Sequence, residues 1–296
     1  MKTGITTVEL CDVGPRDGFQ FEEKLIPTKV KLVAIRGLID AGLPRVQVAS
    51  FVHPKRVPQM ADAEEVVAQL GPVGPCILSG LALNVAGVKR AAASGLSAVD
   101  LSIATNEKHG ADNANMSVDE GIEQAEVMIA EALSSGLSVQ LNLQTVWGYK
   151  TPGDTDLNKI LAIAKRFAVI GLGSFSLADS TGMANPDSIR ETLNAVQNEV
   201  EVPIVLHLHD TRGLGIANIV AALEQGVRRF DTSFGGLGGC PFIPGATGNV
   251  ATEDVVYLLD QMGYSHGIDN TNVAQVSRQM ASFFERRLSG KMYTLL

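Results

Sequence analysis

Residues 8–18 read VELCDVGPRDG, and this joint separates two kinds of α/β protein. An aliphatic, β-branched run, VELCDV, gives way to a turn built from two glycines and a proline. A doubly wound dinucleotide-binding sheet would carry G-x-G-x-x-G at this point, and none follows. Seven further runs of the same character come downstream: RVQVAS (45–50), CILSGLAL (76–83), AVDLSIA (98–104), SVQLNLQ (138–144), SFSLADS (174–180), PIVLHLHD (203–210) and RFDTSFG (229–235). Between them lie segments of helical periodicity, such as 119–134, 156–170 and 186–200. Gly42, Gly95, Gly136 and Gly226 stand where a helix would close before the next strand. Strands alternating with helices call for a parallel sheet, because parallel neighbours need crossover connections. Eight such units without a break in composition predict a closed (β/α)8 TIM barrel over about 7–250. Two extra C-terminal helices, near 252–261 and 271–287, would complete one catalytic domain.

The length of 296 residues suits one barrel. The apolar fraction of 45% and charged fraction of 19% are those of a globular chain with a large core. A net charge of -8 argues against a general nucleic-acid or anionic-membrane surface. Cys11, Cys76 and Cys240 are few, odd in number and scattered, so no disulfide framework is expected and a cytoplasmic setting is the simplest. The first ten residues lack the apolar core of a signal peptide.

In a barrel the active site forms at the C-terminal strand ends. The seventh run ends in His207-Leu208-His209-Asp210. Strand side chains alternate, so His207 and His209 share a face, as a pair of metal ligands would. The first run ends in Arg16 and Asp17, a cation beside a possible oxygen ligand. After the eighth run, residues 234–249 hold six glycines, one thiol at Cys240 and a neutral amide at Asn249. Such a segment is permissive enough to close over a site. Asp179, ending the sixth run, could be a base, an orienting group or a helix cap. His53, His109 and His266 are expected in solvated loops, and Trp147 in packing. Two imidazoles, a carboxylate and an amide suit Mg2+ or Mn2+, with Zn2+ or Co2+ also compatible.

VGPRDGFQFEE, SFVHPKRVPQMAD, HLHDTRGLGIAN and GGLGGCPFIPGATGNVATEDVVYLL together resemble the 3-hydroxy-3-methylglutaryl-CoA lyases, over about residues 8–260. The resemblance implies metal ligands at Asp17, His207, His209 and Asn249. It also implies catalytic parts for Arg16, Cys240, Asp179 and His207, with Gln20 and Gln47 at the substrate. The implied reaction is cleavage of a 3-hydroxyacyl-CoA at C2–C3 by a homo-oligomer, a dimer in the family.

Three positions depart from the family. Gln47 stands where it has an acidic residue, the 143–149 segment lacks its cysteine-containing run, and Arg212 replaces an aromatic. These changes leave the acyl group open. Alternatives are a lyase for another 3-hydroxy diacid thioester, a Claisen-type synthase, or a catalytically silent binding barrel.

Overall fold

A computed structural model of the protein describes residues 6–239 and 246–296. Its strands are β1 (Glu9–Asp12), β2 (Arg45–Ser50), β3 (Ile77–Ala82), β4 (Ala98–Ala104), β5 (Ser138–Gln144), β6 (Ser174–Asp179), β7 (Ile204–Leu208) and β8 (Arg229–Thr232). Every neighbouring pair is parallel, and β1 pairs with β8 to close the ring in chain order. The expected TIM barrel is what forms.

The helices are α1 (Thr28–Asp40), α2 (Ala63–Leu70), α3 (Val85–Ala93), α4 (Glu107–Ala114), α5 (Val118–Ser134), α6 (Leu157–Ala168), α7 (Pro186–Gln197), α8 (Gly215–Glu224), α9 (Thr252–Met262) and α10 (Asn270–Phe284). The last two are the extra C-terminal helices, each within a few residues of its expected span. Gly42 and Gly95 do end α1 and α3, with φ of 90° and 91° that a side chain would resist. Side-chain caps open several helices: Asn185 accepts from the Asp187 and Ser188 amides, and Ser117 with Glu120 makes a capping box. Among the described residues, no helix is long and apolar enough to cross a membrane.

The apolar core lies between the strands and the helices, where Val46, Leu101, Leu141, Leu177 and Leu206 are fully covered. The inside of the barrel is different. Cross-strand partners share a face, and one inner rung carries Asp100, Gln140 and Ser174, with Ser102, Asn142 and Ser176 on the rung above. Branched aliphatic residues usually fill this space. Here polar groups fill it, and those of the lower rung pair with one another or with a neighbour: Ser174 Oγ donates to Gln140 Oε1 at 3.1 Å, and Arg45 to Asp100 at 2.6 Å. Buried polar groups are tolerable on those terms.

Candidate metal and active site

The site is assembled at the joint quoted first. After β1 the chain makes one π-helical turn, Gly14–Gly18, all of it buried. The Asp12 carboxylate holds that turn in place by accepting from the Gly14 amide at 2.8 Å, the Phe234 amide at 2.8 Å and the Thr252 hydroxyl at 2.7 Å. Burial pushes this acid up to about 7 despite those donors. The turn also needs a residue without a side chain at Gly14, where a Cβ would come 2.7 Å from the Phe234 ring. Arg16 and Asp17 are thereby carried inward rather than into solvent, and each is only 7% exposed.

Asp17 meets His207 and His209 there. One ligand atom from each lies within 4.8 Å of the others, and the two Nε2 atoms are 3.2 Å apart. Asn249 joins them through a bridge to His209. Its Nδ2 donates to Asp17 Oδ2 at 2.7 Å and to Leu237 O at 3.0 Å, while its buried Oδ1 has no partner among the described residues. A carboxylate, two converging imidazole nitrogens and a spare amide oxygen fit a divalent cation held by mixed N/O donors.

The protonation states agree with that fit. Burial alone would raise Asp17, but the Arg16 guanidinium, the two imidazoles and the Asn249 amide outweigh it and hold the carboxyl below its usual range. Burial, then the neighbouring His207, pushes His209 down to about 3. An anionic Asp17 and a neutral His209 near neutral pH are the forms a metal takes up.

Behind the ligands stands a residue that sequence reading missed. Asp231 on β8 is the cross-strand partner of His207, and its Oδ2 lies 3.4 Å from His207 Nδ1. The two make no hydrogen bond, but a carboxylate beside the far nitrogen favours a proton there and so leaves Nε2 to face a metal. A charged residue at an inward strand position was the available signal.

The other expected residues divide. Gln20 lines a cavity of about 690 Å³ together with Arg16, Asp17, His207 and His209. Gln47, expected at the substrate, lies instead beneath Arg16: its Oε1 accepts from Arg16 Nε, and its Nε2 donates to Asp100 at 2.6 Å. Asp179 pairs in register with the outward-facing Leu208, and its two oxygens accept from the Met183 and Ala184 amides at 2.8 and 3.0 Å. Burial raises it to about 6. Its neighbour Ser180, not Asp179, lines the cavity. Cys240 lies outside the described residues.

Two further expectations need correction. His109 is not in a solvated loop but buried on α4 at the cavity wall, because α4 is an insertion that folds over the mouth. His266 is half-buried and pairs with Asp260 at 2.9 Å. His53 is exposed, as expected, and Trp147 packs with its Nε1 donating to Ser188 O.

The HMGL-like family model matches residues 7–280. The mitochondrial hydroxymethylglutaryl-CoA lyase of Gallus gallus is 36% identical over 286 residues, covering 96% of each chain. The crystal structure of the Bacillus subtilis HMG-CoA lyase superposes with a TM-score of 0.95 at 32% identity, covering 98% of both chains. An Acinetobacter baumannii HMG-CoA lyase, solved with coenzyme A and 3-methylmalate, gives 0.92 at 31% identity over 97% of this chain and 94% of that one. On a match that runs through barrel, turn and histidine pair alike, the chain belongs to the HMGL-like family.

Proposed function

We propose that this protein is a divalent-metal-dependent carbon–carbon lyase that cleaves the C2–C3 bond of a 3-hydroxyacyl-CoA. The substrate to which the reading commits is 3-hydroxy-3-methylglutaryl-CoA, giving acetyl-CoA and acetoacetate. The observation that carries the reading is the convergence of Asp17, His207, His209 and the Asn249 oxygen, unpartnered among the described residues, beside Arg16. The coenzyme A bound by the A. baumannii relative supports a thioester substrate here.

Asp17, His207, His209 and Asn249 would hold Mg2+ or Mn2+, with Zn2+ or Co2+ compatible. When bound, the ion supplies a Lewis acid that lowers the pKa of the C3 hydroxyl. Of the two groups expected to take that proton, His207 is the better placed, because it lines the cavity. An imidazole nitrogen that holds the ion cannot also take a proton, so as base His207 would act from a nitrogen free of the ion, which Asp17, His209 and Asn249 would then hold; Asp231 beside Nδ1 balances the charge gained. Asp179, with both oxygens on backbone amides, is assigned to holding the 180–184 turn. As C2–C3 breaks, its electron pair passes to the enolate of the acetyl-CoA half, and Arg16 faces the charge gathering on the thioester oxygen. Cys240 would return a proton to C2 from its thiol. The glycine-rich 234–249 segment would exclude water while the enolate exists.

The same reading takes the chain as one catalytic domain, active as a homo-oligomer in the cytoplasm. The test is turnover of HMG-CoA by purified protein with Mg2+ or Mn2+, following acetoacetate, with Cys240→Ala alongside. Metal-dependent cleavage that the variant loses supports the reading. Metal uptake without cleavage rejects this acyl group in favour of another 3-hydroxy diacid thioester.

A further inference from the structure

Four side chains, three of them buried and Arg45 half-buried, form one line through the barrel, from Arg45 through Asp100 and Gln47 to Arg16. Arg45 Nη2 donates to Asp100 Oδ1 at 2.6 Å, Gln47 Nε2 donates to Asp100 Oδ2 at 2.6 Å, and Arg16 Nε donates to Gln47 Oε1. Asp100 and Gln47 are 2% and 3% exposed, so water does not substitute freely for any of these partners.

The chemistry of this line is restrictive. Both ends are guanidinium groups, which only donate. A carboxylate only accepts, whereas an amide accepts at one end and donates at the other. With Asp at 100 and Gln at 47, all three contacts pair a donor with an acceptor. With two amides, one contact must set donor against donor. With two carboxylates, one must set acceptor against acceptor, and two like charges become neighbours. Without a retained proton, the line closes only when one of the two positions is a carboxylate and the other an amide; two carboxyl groups would have to keep a proton between them. The resemblance expects an acidic residue at 47, and here the carboxylate stands one link further from Arg16, on β4.

We propose that Gln47 and Asp100 act together as a positioning pair for Arg16, Asp100 setting the direction of the Gln47 amide and Gln47 presenting its carbonyl to Arg16 Nε. The proposal rests on the reading that Arg16 faces the developing enolate. Arg16 Nη1 is already committed to Asp17 Oδ1 at 2.6 Å. The Gln47 carbonyl is then the second anchor that fixes the guanidinium plane.

The test is a four-corner cycle of wild type, Asp100→Asn, Gln47→Glu and the double variant, with Arg16→Lys as reference. Each single substitution breaks the alternation and alters the buried charge by one, and the double restores both. Each single variant should lose about 10- to 100-fold in kcat on HMG-CoA, the cost of one mismatched buried hydrogen bond, with KM and Mn2+ affinity little changed. The double variant should recover to within about fivefold of wild type. A second readout does not depend on turnover. The Arg16 Nε–H resonance, assigned by its loss in Arg16→Lys, should shift in both single variants and return in the double. If Gln47→Glu does not accumulate as folded protein, Asp100→Asn against the double carries the comparison.

A double variant no better than Asp100→Asn, or an Asp100→Asn that keeps both kcat and the resonance, overturns the proposal. Losses that appear equally in KM, metal affinity and thermal midpoint would make the pair merely structural, and overturn it too. An Arg16→Lys enzyme as fast as wild type rejects the role given to Arg16, and wild type without turnover rejects the proposed reaction. In both cases the resonance cycle still decides the pairing.

Discussion

On the β7–β8–β1 side of the barrel mouth, the side chains expected to do chemistry are gripped from behind. Asp17 is held by Arg16 and Asn249, His207 is backed by Asp231, and the turn that carries Asp17 is clamped by Asp12. On the β4–β5 side, Ser102 Oγ and Asn142 Oδ1 line the same cavity, are buried, and have no partner among the described residues. They are cross-strand neighbours on one face. The first side is arranged before any ligand arrives; the second has hydrogen-bonding capacity to offer one. This contrast separates a part of the site that fixes the reaction from a part that reads the acyl group, where this chain also departs from the family at 143–149.

Four variants break or sharpen that contrast. The largest effect is expected from His209→Ala. Losing a ligand removes several kcal/mol of charge stabilisation, so turnover should fall at least about a thousandfold and Mn2+ should no longer be retained on desalting. A variant that keeps its metal would dissolve the division. Asp231→Asn comes next: metal affinity should weaken by about 10- to 100-fold while the fold survives, as titration with Mn2+ would show.

Across the mouth, Ser102→Val with Asn142→Leu should behave in the opposite manner. Removing polar atoms without protein partners should move the thermal midpoint by no more than about 2 °C. KM for the thioester should nevertheless rise. A large loss of stability would show that this wall is also tied into the fold.

The smallest effect concerns Glu253, whose two oxygens accept from the Gly235 amide at 3.0 Å at the start of the glycine-rich segment. Burial pushes its pKa from 4.5 up to about 8. The folded protein therefore keeps a proton that the unfolded chain releases. Stability from this group is complete below 4.5 and is lost as pH rises through 8. Glu253→Gln, which cannot ionise, should flatten the fall in thermal midpoint between pH 5 and about 9. An unchanged slope would assign that fall to other groups, Asp12 first among them.

The sequence was informative wherever one residue type repeats at fixed spacing. The 98–104 and 138–144 runs match β4 and β5 residue for residue, because alternating aliphatic residues leave little choice of register. His207 and His209 were legible for the same reason, since a period of two places both on one face. Asp100 and Asp231 were not. Each sits inside a strand run, and its meaning comes from a partner far away in the chain, Gln47 or His207. Gln47 was noticed as a departure but placed at the substrate, because a sequence does not reveal that Arg16 lies above it. His109 was misplaced because α4 has little apolar periodicity and reads as loop; it is a helix by virtue of its Asn106 cap and the wall it packs on.

The polar rungs inside the barrel have a thermal consequence. Exposing hydrocarbon to water raises the heat capacity on unfolding, and exposing polar groups lowers it. A barrel whose axis is lined by Asp100, Gln140, Ser174 and Asp231 therefore gains less heat capacity when it melts than one of equal length filled with valine and leucine. Its free energy of unfolding bends less steeply about the temperature of maximum stability, so cooling and warming erode the fold more gently from either direction.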